Sequence, residues 1–229
     1  MRVGFFSPMP PAPTGVADYS AALLKELHKL GEVVVDAEAC DVALYHIGNN
    51  RLHRDIHARA LAHPGVVVLH DAVLTHFYLG ELDEPAFLRE FVYNYGDAQL
   101  ARELWRDRAR SGADPRYFAH PMLKRVVESA RMVIVHNPAA AEVAQRHGAK
   151  HVVEIPHLYC HPMEAPAPRP SGPLRVGVLG HLRESKRVLP ILRVMDRLWA
   201  DGIDLRVVLQ GAFGSGDLER AVAPWLGHS

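Results

Sequence analysis

Cysteine is scarce in this sequence, and charge of one sign is not in excess. The 229 residues contain only Cys40 and Cys160, which show neither a close metal-type spacing nor a disulfide framework. A low cysteine content without a metal or disulfide pattern is typical of proteins from a reducing compartment. The 26 basic residues balance 26 acidic ones, so net charge gives no reason to expect nucleic acid or an anionic membrane surface as partner.

Targeting and membrane-spanning patterns are also missing. No apolar run approaches the ~20 residues of a membrane span. No N-terminal stretch combines basic residues, an apolar core and a small-residue cleavage site. These absences predict a soluble, cytoplasmic protein.

Short runs rich in valine and isoleucine recur along the chain, with helical patterns between them. The runs barely alternate in polarity, which is typical of strands buried on both faces of a parallel sheet. Strands alternating with helices predict an α/β fold with a doubly wound, parallel, Rossmann-like sheet. The predicted strands are Arg2–Phe6, Glu32–Val35, Val42–Tyr45, Val66–Leu69, Met132–Val135, Val152–Ile155, Leu174–Leu179 and Leu205–Leu209.

The helical patterns follow the strands. In the first of them, Val16, Tyr19, Leu23, Leu27 and Leu30 fall three or four residues apart and predict one apolar stripe. The other predicted helices are Leu52–Ala62, Pro85–Arg110, Met122–Ala130, Ala139–His147 and Lys186–Ala200.

A proline-rich segment divides the pattern in two. Six prolines lie between Pro156 and Pro173, and such a segment holds neither a helix nor a central strand. We therefore predict a first domain at 1–155, a linker at 156–173, and the first βαβ unit of a second, truncated Rossmann-like domain at 174–229. The alternative is a single domain whose last unit extends the first sheet.

Ligands of open α/β sheets bind beyond the carboxyl ends of the strands, so the residues that follow each strand are the candidates. After the first strand, Thr14 is a predicted N-cap and Gly15 begins a helix whose free N–H groups favour a phosphate. A plain turn and capped helix is the alternative. The pattern GxGxxG is absent here, although Asp36 lies where an NAD ribose contact would be expected.

Histidines follow the fourth and fifth strands. His70 could hydrogen-bond a sugar hydroxyl or polarise a reacting centre, while Asp71 could orient it or cap the next helix. After the fifth strand, Asn137 is a natural N-cap. His53 and His57 have the spacing of a helical metal pair, but no third ligand is evident, and a solvated helix face is the favoured interpretation.

A basic turn follows the first strand of the second predicted domain. Gly180, His181, Arg183, Lys186 and Arg187 lie close to the start of a helix. Cations, a glycine and a helix N-terminus together predict a diphosphate site. A solvated basic turn is the alternative.

The motifs PMPPAPTGVADYS, LHD, VHN, IPH and GHLRESK, in this order along the chain, together resemble those of retaining glycosyltransferases of the two-Rossmann-domain (GT-B) type, in the family called family 4 or group 1. The resemblance implies transfer of a sugar from a UDP or GDP sugar to a glycan, lipid or small-molecule acceptor. It implies no metal and no further cofactor, and the sequence contains no Asp-x-Asp motif.

The resemblance also assigns roles to residues. Gly15 would be the loop glycine near the donor diphosphate and the acceptor, His70 would face the transferred sugar, and Lys186 would neutralise the diphosphate. His181 stands where the family pattern has arginine. The remaining candidates are Gly180 and Arg183 on the donor side, and Thr14, Asp18, Asp71 and Asn137 on the acceptor side or in support.

The family's later glutamate-bearing motif lies beyond the last residue of this sequence, so we expect little or no transferase activity from these residues alone. A nucleotide-sugar epimerase of the same architecture and a non-catalytic Rossmann module that binds a nucleotide or a protein partner remain as alternatives. A peripheral membrane contact through the aromatic residues of segment 81–116 also stays open.

Overall fold

The valine-rich runs form strands, and the amphipathic runs between them form helices. A computed structural model describes residues 1–112, 114–158 and 171–227. The strands are β1 (Arg2–Phe6), β2 (Glu32–Val35), β3 (Val42–Ile47), β4 (Val66–Leu69), β5 (Met132–Val135), β6 (Val152–Glu154), β7 (Leu174–Leu179) and β8 (Leu205–Gln210).

Ten α-helices and four short 3-10 helices occur in the described residues. The α-helices are α1 (Gly15–Leu27), α2 (Arg54–Ala62), α3 (Thr75–Glu81), α4 (Glu84–Tyr95), α5 (Ala98–Asp107), α6 (Pro115–Ala119), α7 (Lys124–Ser129), α8 (Pro138–Arg146), α9 (Val188–Ala200) and α10 (Gly216–Val222). The 3-10 helices are Arg51–His53, Arg108–Arg110, Glu184–Lys186 and Ala223–Trp225. Within the described ranges, no helix combines the length and the apolar character needed to cross a bilayer.

The chain divides into two units, Met1–His161 and Pro162–Ser229. The predicted linker 156–173 falls mostly on residues 159–170, which lie outside the described residues, as does Cys160. In the second unit, β7 and β8 pair in parallel and form a sheet of their own. The alternative in which the last strands extend the first sheet is therefore wrong for the described part of the chain.

The first unit is an α/β domain with a parallel six-stranded sheet flanked by helices, in the order β2-β1-β3-β4-β5-β6. This much of the predicted Rossmann-like architecture is confirmed. The chain winds outward from β1 to β2 and then returns to β3 on the other side of β1. Such a reversal leaves a crevice at the carboxyl ends of the two strands, which is where ligands of these folds bind.

The connection from β2 to β3 contains no helix and runs across β1. The N–H of Asp36 donates to the Phe5 carbonyl at 3.1 Å, and the N–H of Arg2 donates to the Asp41 carboxylate at 2.7 Å. A Cβ on Gly4 would lie 2.7 Å from the Cys40 sulfur. Glycine at position 4 therefore gives the connection the room to pass over the sheet.

The core of the first unit lies between the sheet and the helices that follow β4. Its largest fully buried side chains include the aromatic rings of Tyr45, Phe87, Phe91 and Tyr117. The hydroxyl of Tyr117 donates to the Leu104 carbonyl at 2.6 Å, so this buried polar group is satisfied. This hydrogen bond ties α6 to α5 within the core.

The helical segment predicted as Pro85–Arg110 differs from the structure. It is broken into α4 and α5, because Gly96 adopts a left-handed φ of 73° and ends α4. Helix α3 was not predicted, because its seven residues are too few for the apolar period to stand out.

Candidate functional site

Four histidines and one tyrosine meet at the carboxyl edge of the first sheet. His46 lies near the end of β3, His70 and His136 directly follow β4 and β5, and His157 follows β6. Tyr19 projects from α1. Parallel strands bring their carboxyl ends to one edge, which is why residues so far apart in sequence become neighbours here. We call these five residues the histidine–tyrosine cluster.

The ring of Tyr19 is the centre of this cluster. Its centroid lies 4.9 Å from those of His70 and His157, 5.5 Å from that of His136 and 6.0 Å from that of His46. Tyr19 was predicted as part of an apolar stripe, but the residues that α1 buries are Ala17 and Ser20, whereas Leu30 is 84% exposed. Small residues allow α1 to approach the sheet closely, and Tyr19 is left to face the histidines.

His70 is held by β3 through two hydrogen bonds. Its backbone N–H donates to the Ile47 carbonyl at 2.9 Å, and its Nε2 atom lies 2.9 Å from Nδ1 of His46. Burial, with a smaller contribution from neighbouring histidines, lowers the pKa of each of these two imidazoles to about 3. Both rings are therefore neutral at pH 7.

Asp71 does not orient His70 and does not cap the next helix, so both predicted roles are wrong. Its Oδ2 atom accepts a hydrogen bond from the backbone N–H of Asn49 at 2.8 Å, and the residue before α3 is Leu74. The side-chain oxygen of Asn49 in turn accepts from the N–H of Phe77 at 2.7 Å. Asp71 and Asn49 thus tie the loops after β3 and β4 together beside the cluster.

One ring nitrogen of His136 has a hydrogen-bond partner, and the other has none among the described residues. Its Nδ1 atom donates to the Ile155 carbonyl at 2.9 Å, which fixes the proton on that nitrogen. Its Nε2 atom is buried and, within the described residues, without a hydrogen-bond partner. His136 therefore offers an unused acceptor next to His70, 5.5 Å away between ring centroids.

A pocket of about 320 Å³ opens beside the cluster. Its polar lining comes from His70, His136, Asn137 and His157, and most of the other lining residues are apolar. Phe118, also in the wall, is 49% exposed. An apolar pocket with a few convergent polar groups is the usual form of a small-molecule site.

Two predicted helix caps are confirmed, one of them in the pocket wall. Asn137 is the N-cap of α8, and its side chain accepts from the N–H of Ala140 at 2.9 Å. Thr14 is the N-cap of α1, and Gly15 is the first residue of that helix and is exposed. Asp18 lies in the first turn of α1, also exposed, and has no hydrogen bond or ion pair within the described residues.

His53 and His57 form neither a metal pair nor a solvated helix face. His53 is 0% and His57 7% exposed. His53 donates from Nδ1 to the His46 carbonyl at 2.9 Å, while Nε2 of His57 lies 3.0 Å from the hydroxyl of Tyr78. In the described residues, no group of three or more histidine, cysteine or acidic side chains is arranged so that it could hold a metal ion.

The predicted basic turn of the second unit follows β7. Gly180 has a φ of 96°, and a Cβ built on it would lie 4.0 Å from Nζ of Lys186. His181, Arg183 and Lys186 are exposed, and none of them forms an ion pair within the described ranges. The Lys186 ammonium group thus lies close to Gly180.

Helix α9 begins directly after this turn. Its N-cap is Arg187, which has a φ of 55° and makes no side-chain cap, and the first turn contains no acidic residue. The free N–H groups and the positive end of the helix are therefore available to an anion. A helix start at Lys186 was predicted, but Glu184–Lys186 is a 3-10 turn and α9 starts at Val188.

A second glycine-rich loop, which the sequence did not single out as part of the site, lies against the basic turn. The N–H of Leu182 donates to the Ala212 carbonyl at 2.9 Å, and the N–H of Gly214 donates to the Leu182 carbonyl at 2.8 Å. A Cβ on Gly211 would lie 2.0 Å from the Gly180 carbonyl oxygen. The only sequence signal was the run GAFGSG directly after β8.

No protein-family model matches this chain, and no curated protein shows significant sequence similarity to it. The assignment of a function therefore depends on the histidine–tyrosine cluster with its pocket and on the basic turn of the second unit.

Proposed function

We propose that this protein is a metal-independent glycosyltransferase of the two-Rossmann-domain type, which transfers a sugar with retention from a nucleoside diphosphate sugar to an acceptor. The observation that carries the proposal is the basic turn of the second unit. There, Lys186 folds over Gly180 in front of the uncapped N-terminus of α9. Backbone N–H groups, a helix N-terminus and a lysine are the groups that hold a diphosphate.

The same groups would stabilise the departing diphosphate during sugar transfer. When the glycosidic bond to the diphosphate breaks, negative charge grows on the departing phosphate oxygens. Fixed cations and helix N–H groups stabilise that charge without reorganising. Lys186 is the principal cation, with Arg183 and Arg187 beside it. His181 in place of the family's arginine leaves one cation fewer in the turn.

The first unit would contribute His70 and the pocket beside it. His70 is a neutral imidazole at the carboxyl edge of the sheet, suited to hydrogen-bonding a sugar hydroxyl. The pocket, with apolar walls and the exposed Phe118, has the surface on which the apolar face of a sugar ring or of an acceptor packs. No nucleophilic residue is assigned, because retention by front-face attack requires none.

Calorimetric titration of UDP, GDP and ADP into the 229-residue protein, in the presence of EDTA, tests the donor site. We expect one of the three to bind, and Lys186→Ala to weaken that binding roughly 10- to 100-fold, as expected for the loss of one charge-assisted hydrogen bond. Arg193→Ala is the matched control, since it removes an exposed cation that lies within α9, away from the N-terminus of that helix. Equal affinity of the Lys186→Ala and wild-type proteins would remove the basic turn from the site.

A second measurement separates the proposed transferase from the epimerase. The nucleotide sugar whose nucleotide binds is incubated with candidate glycan and lipid acceptors, and release of the nucleoside diphosphate is followed. Acceptor-dependent release supports a transferase. Acceptor-independent release with an altered sugar favours the epimerase, and binding without release is the result expected of these 229 residues alone.

A further inference from the structure

His46 is the only side chain within the described residues that hydrogen-bonds the imidazole of His70. We propose that His46 is the positioning residue of His70, donating from its Nδ1–H to Nε2 of His70 and thereby keeping the His70 proton on Nδ1. The position usually filled by a carboxylate behind a working histidine is thus filled by a second, buried imidazole, while Asp71 is bonded to Asn49.

Only one proton can lie between Nδ1 of His46 and Nε2 of His70. Since burial keeps both imidazoles neutral, each ring carries a single N–H, and one ring must donate to the other across 2.9 Å. Two arrangements satisfy this condition. Either Nδ1 of His46 donates to His70, or Nε2 of His70 donates to His46.

The surroundings of His46 decide between them. His46 is 0% exposed, and its Nε2 atom has no hydrogen-bond partner in the described part of the chain. If His70 were the donor, the remaining proton of His46 would be a buried N–H without an acceptor. If His46 is the donor, its Nε2 is only an unused lone pair. Buried N–H groups without a partner are rarer than under-used acceptors, so the geometry favours His46 as donor.

The backbone around His46 keeps its ring in place. β3 is paired with β1 on one side and with β4 on the other, where His46 lies opposite Val68. The carbonyl of His46 accepts the Nδ1–H of His53, and the ring of Phe5 packs against the imidazole with centroids 4.7 Å apart. A donor held in this way keeps its direction whether or not a ligand is present.

The consequence is a fixed N–H on His70. Its Nδ1 atom has no hydrogen-bond partner among the described residues, and the residue lines the pocket. This step rests on the proposed function: in a glycosyltransferase, the N–H of His70 would donate to a hydroxyl oxygen of the transferred sugar.

Nitrogen NMR of histidine-labelled protein tests the tautomer without any substrate. In the wild-type protein at pH 7, long-range ¹H–¹⁵N correlations of His70 should show Nδ1 as the protonated nitrogen and Nε2 as the unprotonated one. The opposite pattern in the wild type overturns the proposal, and this measurement does not depend on any variant folding. The His70 signals are assigned from their loss in His70→Gln.

Two substitutions at position 46 add a functional measurement. In His46→Asn the amide NH₂ can replace the Nδ1–H donor, whereas His46→Phe keeps a ring of similar shape without a donor. We expect His70 to keep its tautomer in the first variant and to lose it in the second. Affinity for the nucleotide sugar should fall roughly 5- to 10-fold only in His46→Phe, as for one lost hydrogen bond, while affinity for the free nucleoside diphosphate stays unchanged.

The two proposals fail in different ways. An unchanged His70 tautomer in folded His46→Phe overturns the positioning role, whatever the protein binds. A wild-type protein that has the expected tautomer but binds no nucleotide sugar supports the positioning role and overturns the proposed function.

Discussion

Gly48 and His53 pack so closely that no side chain fits on Gly48. A Cβ there would lie 2.6 Å from Nε2 of His53, and the same imidazole donates through Nδ1 to the carbonyl of His46. Because Gly48 has no side chain, the His53 ring has room to hydrogen-bond the backbone carbonyl of His46.

Gly48→Ala should therefore destabilise the first unit. The added methyl group forces the buried His53 ring to turn and to lose its hydrogen bond, and overpacking of this kind costs about 1–3 kcal/mol. The measurement is the free energy of unfolding in urea. Gly80→Ala is the control, because a Cβ there meets nothing within 4 Å and a helical alanine is slightly favoured over glycine. Equal stability of the two variants would show that His53 moves without cost.

Stability should fall when the pH is lowered from 7.5 to 5.5. Burial lowers the pKa of His46 to about 3 and that of His57 to about 4, against about 6.5 in an unfolded chain. Below pH 6.5 the unfolded state therefore binds protons that the folded state does not, so the stabilisation present above pH 6.5 is progressively lost. Each such histidine adds a slope approaching about 1.4 kcal/mol per pH unit.

The comparison of two variants tests this slope. Urea unfolding of His57→Phe at pH 7.5, 6.5 and 5.5 should show a shallower pH dependence than the wild type, even if its stability at pH 7.5 is lower. His151→Gln, at an exposed position, should keep the wild-type slope. An unaltered slope in His57→Phe contradicts a neutral, buried His57.

Arg125→Met should destabilise the protein by leaving a buried carboxylate unpaired. Nε of Arg125 lies 2.6 Å from Oε2 of Glu90, a residue that is 7% exposed. Because the arginine side chain is 41% exposed, we expect a loss of about 2–3 kcal/mol, below the range for a fully buried pair. Chemical denaturation measures it.

The double variant Arg125→Met, Glu90→Leu should recover much of that loss, because no buried charge remains. Lys29→Met, which breaks an exposed pair with Glu26, should leave stability unchanged within error. The Arg125 guanidinium also packs over the Tyr93 ring, 4.1 Å from its centroid. A double variant that is no more stable than Arg125→Met would mean that this packing, and not the charge pair, determines the effect.

Gly211→Ala should disturb the basic turn of the second unit. A Cβ at position 211 would lie 2.0 Å from the Gly180 carbonyl oxygen, at a φ of 140° that side chains rarely adopt. We expect a loss of at least about 2 kcal/mol and weaker nucleoside diphosphate binding, measured by thermal unfolding and calorimetry. Gly216→Ala, where a Cβ meets only the end of Arg220 at 3.5 Å, should preserve both.

The sheet could be predicted from the sequence to a large extent. β1, β2, β4, β5 and β7 have the predicted bounds, because their short apolar runs stand out from the helical patterns between them. Pairing order does not follow from such runs, and the placement of β3 beside β1 depends on a connection that passes over Gly4. Neither could be derived from local pattern.

The candidate site could be predicted only where a residue follows a strand. His70 was identified because it stands directly after β4. His46 directly follows the predicted strand Val42–Tyr45 but was not chosen, and in the structure β3 continues through it to Ile47. Tyr19 matched the helical apolar period and was taken for a core residue. Asp71 was paired with His70 because they are adjacent in sequence, yet their side chains serve different loops.

The central position of the Tyr19 ring has a spectroscopic consequence. An aromatic ring shifts the resonances of protons above its face and at its edge in opposite directions, and four imidazoles lie within 6.0 Å of this one between centroids. A small rotation of the Tyr19 ring would therefore shift the proton signals of His46, His70, His136 and His157 together. Proton NMR during one ligand titration, without isotope labelling, would thus follow the carboxyl edge of the sheet at four residues.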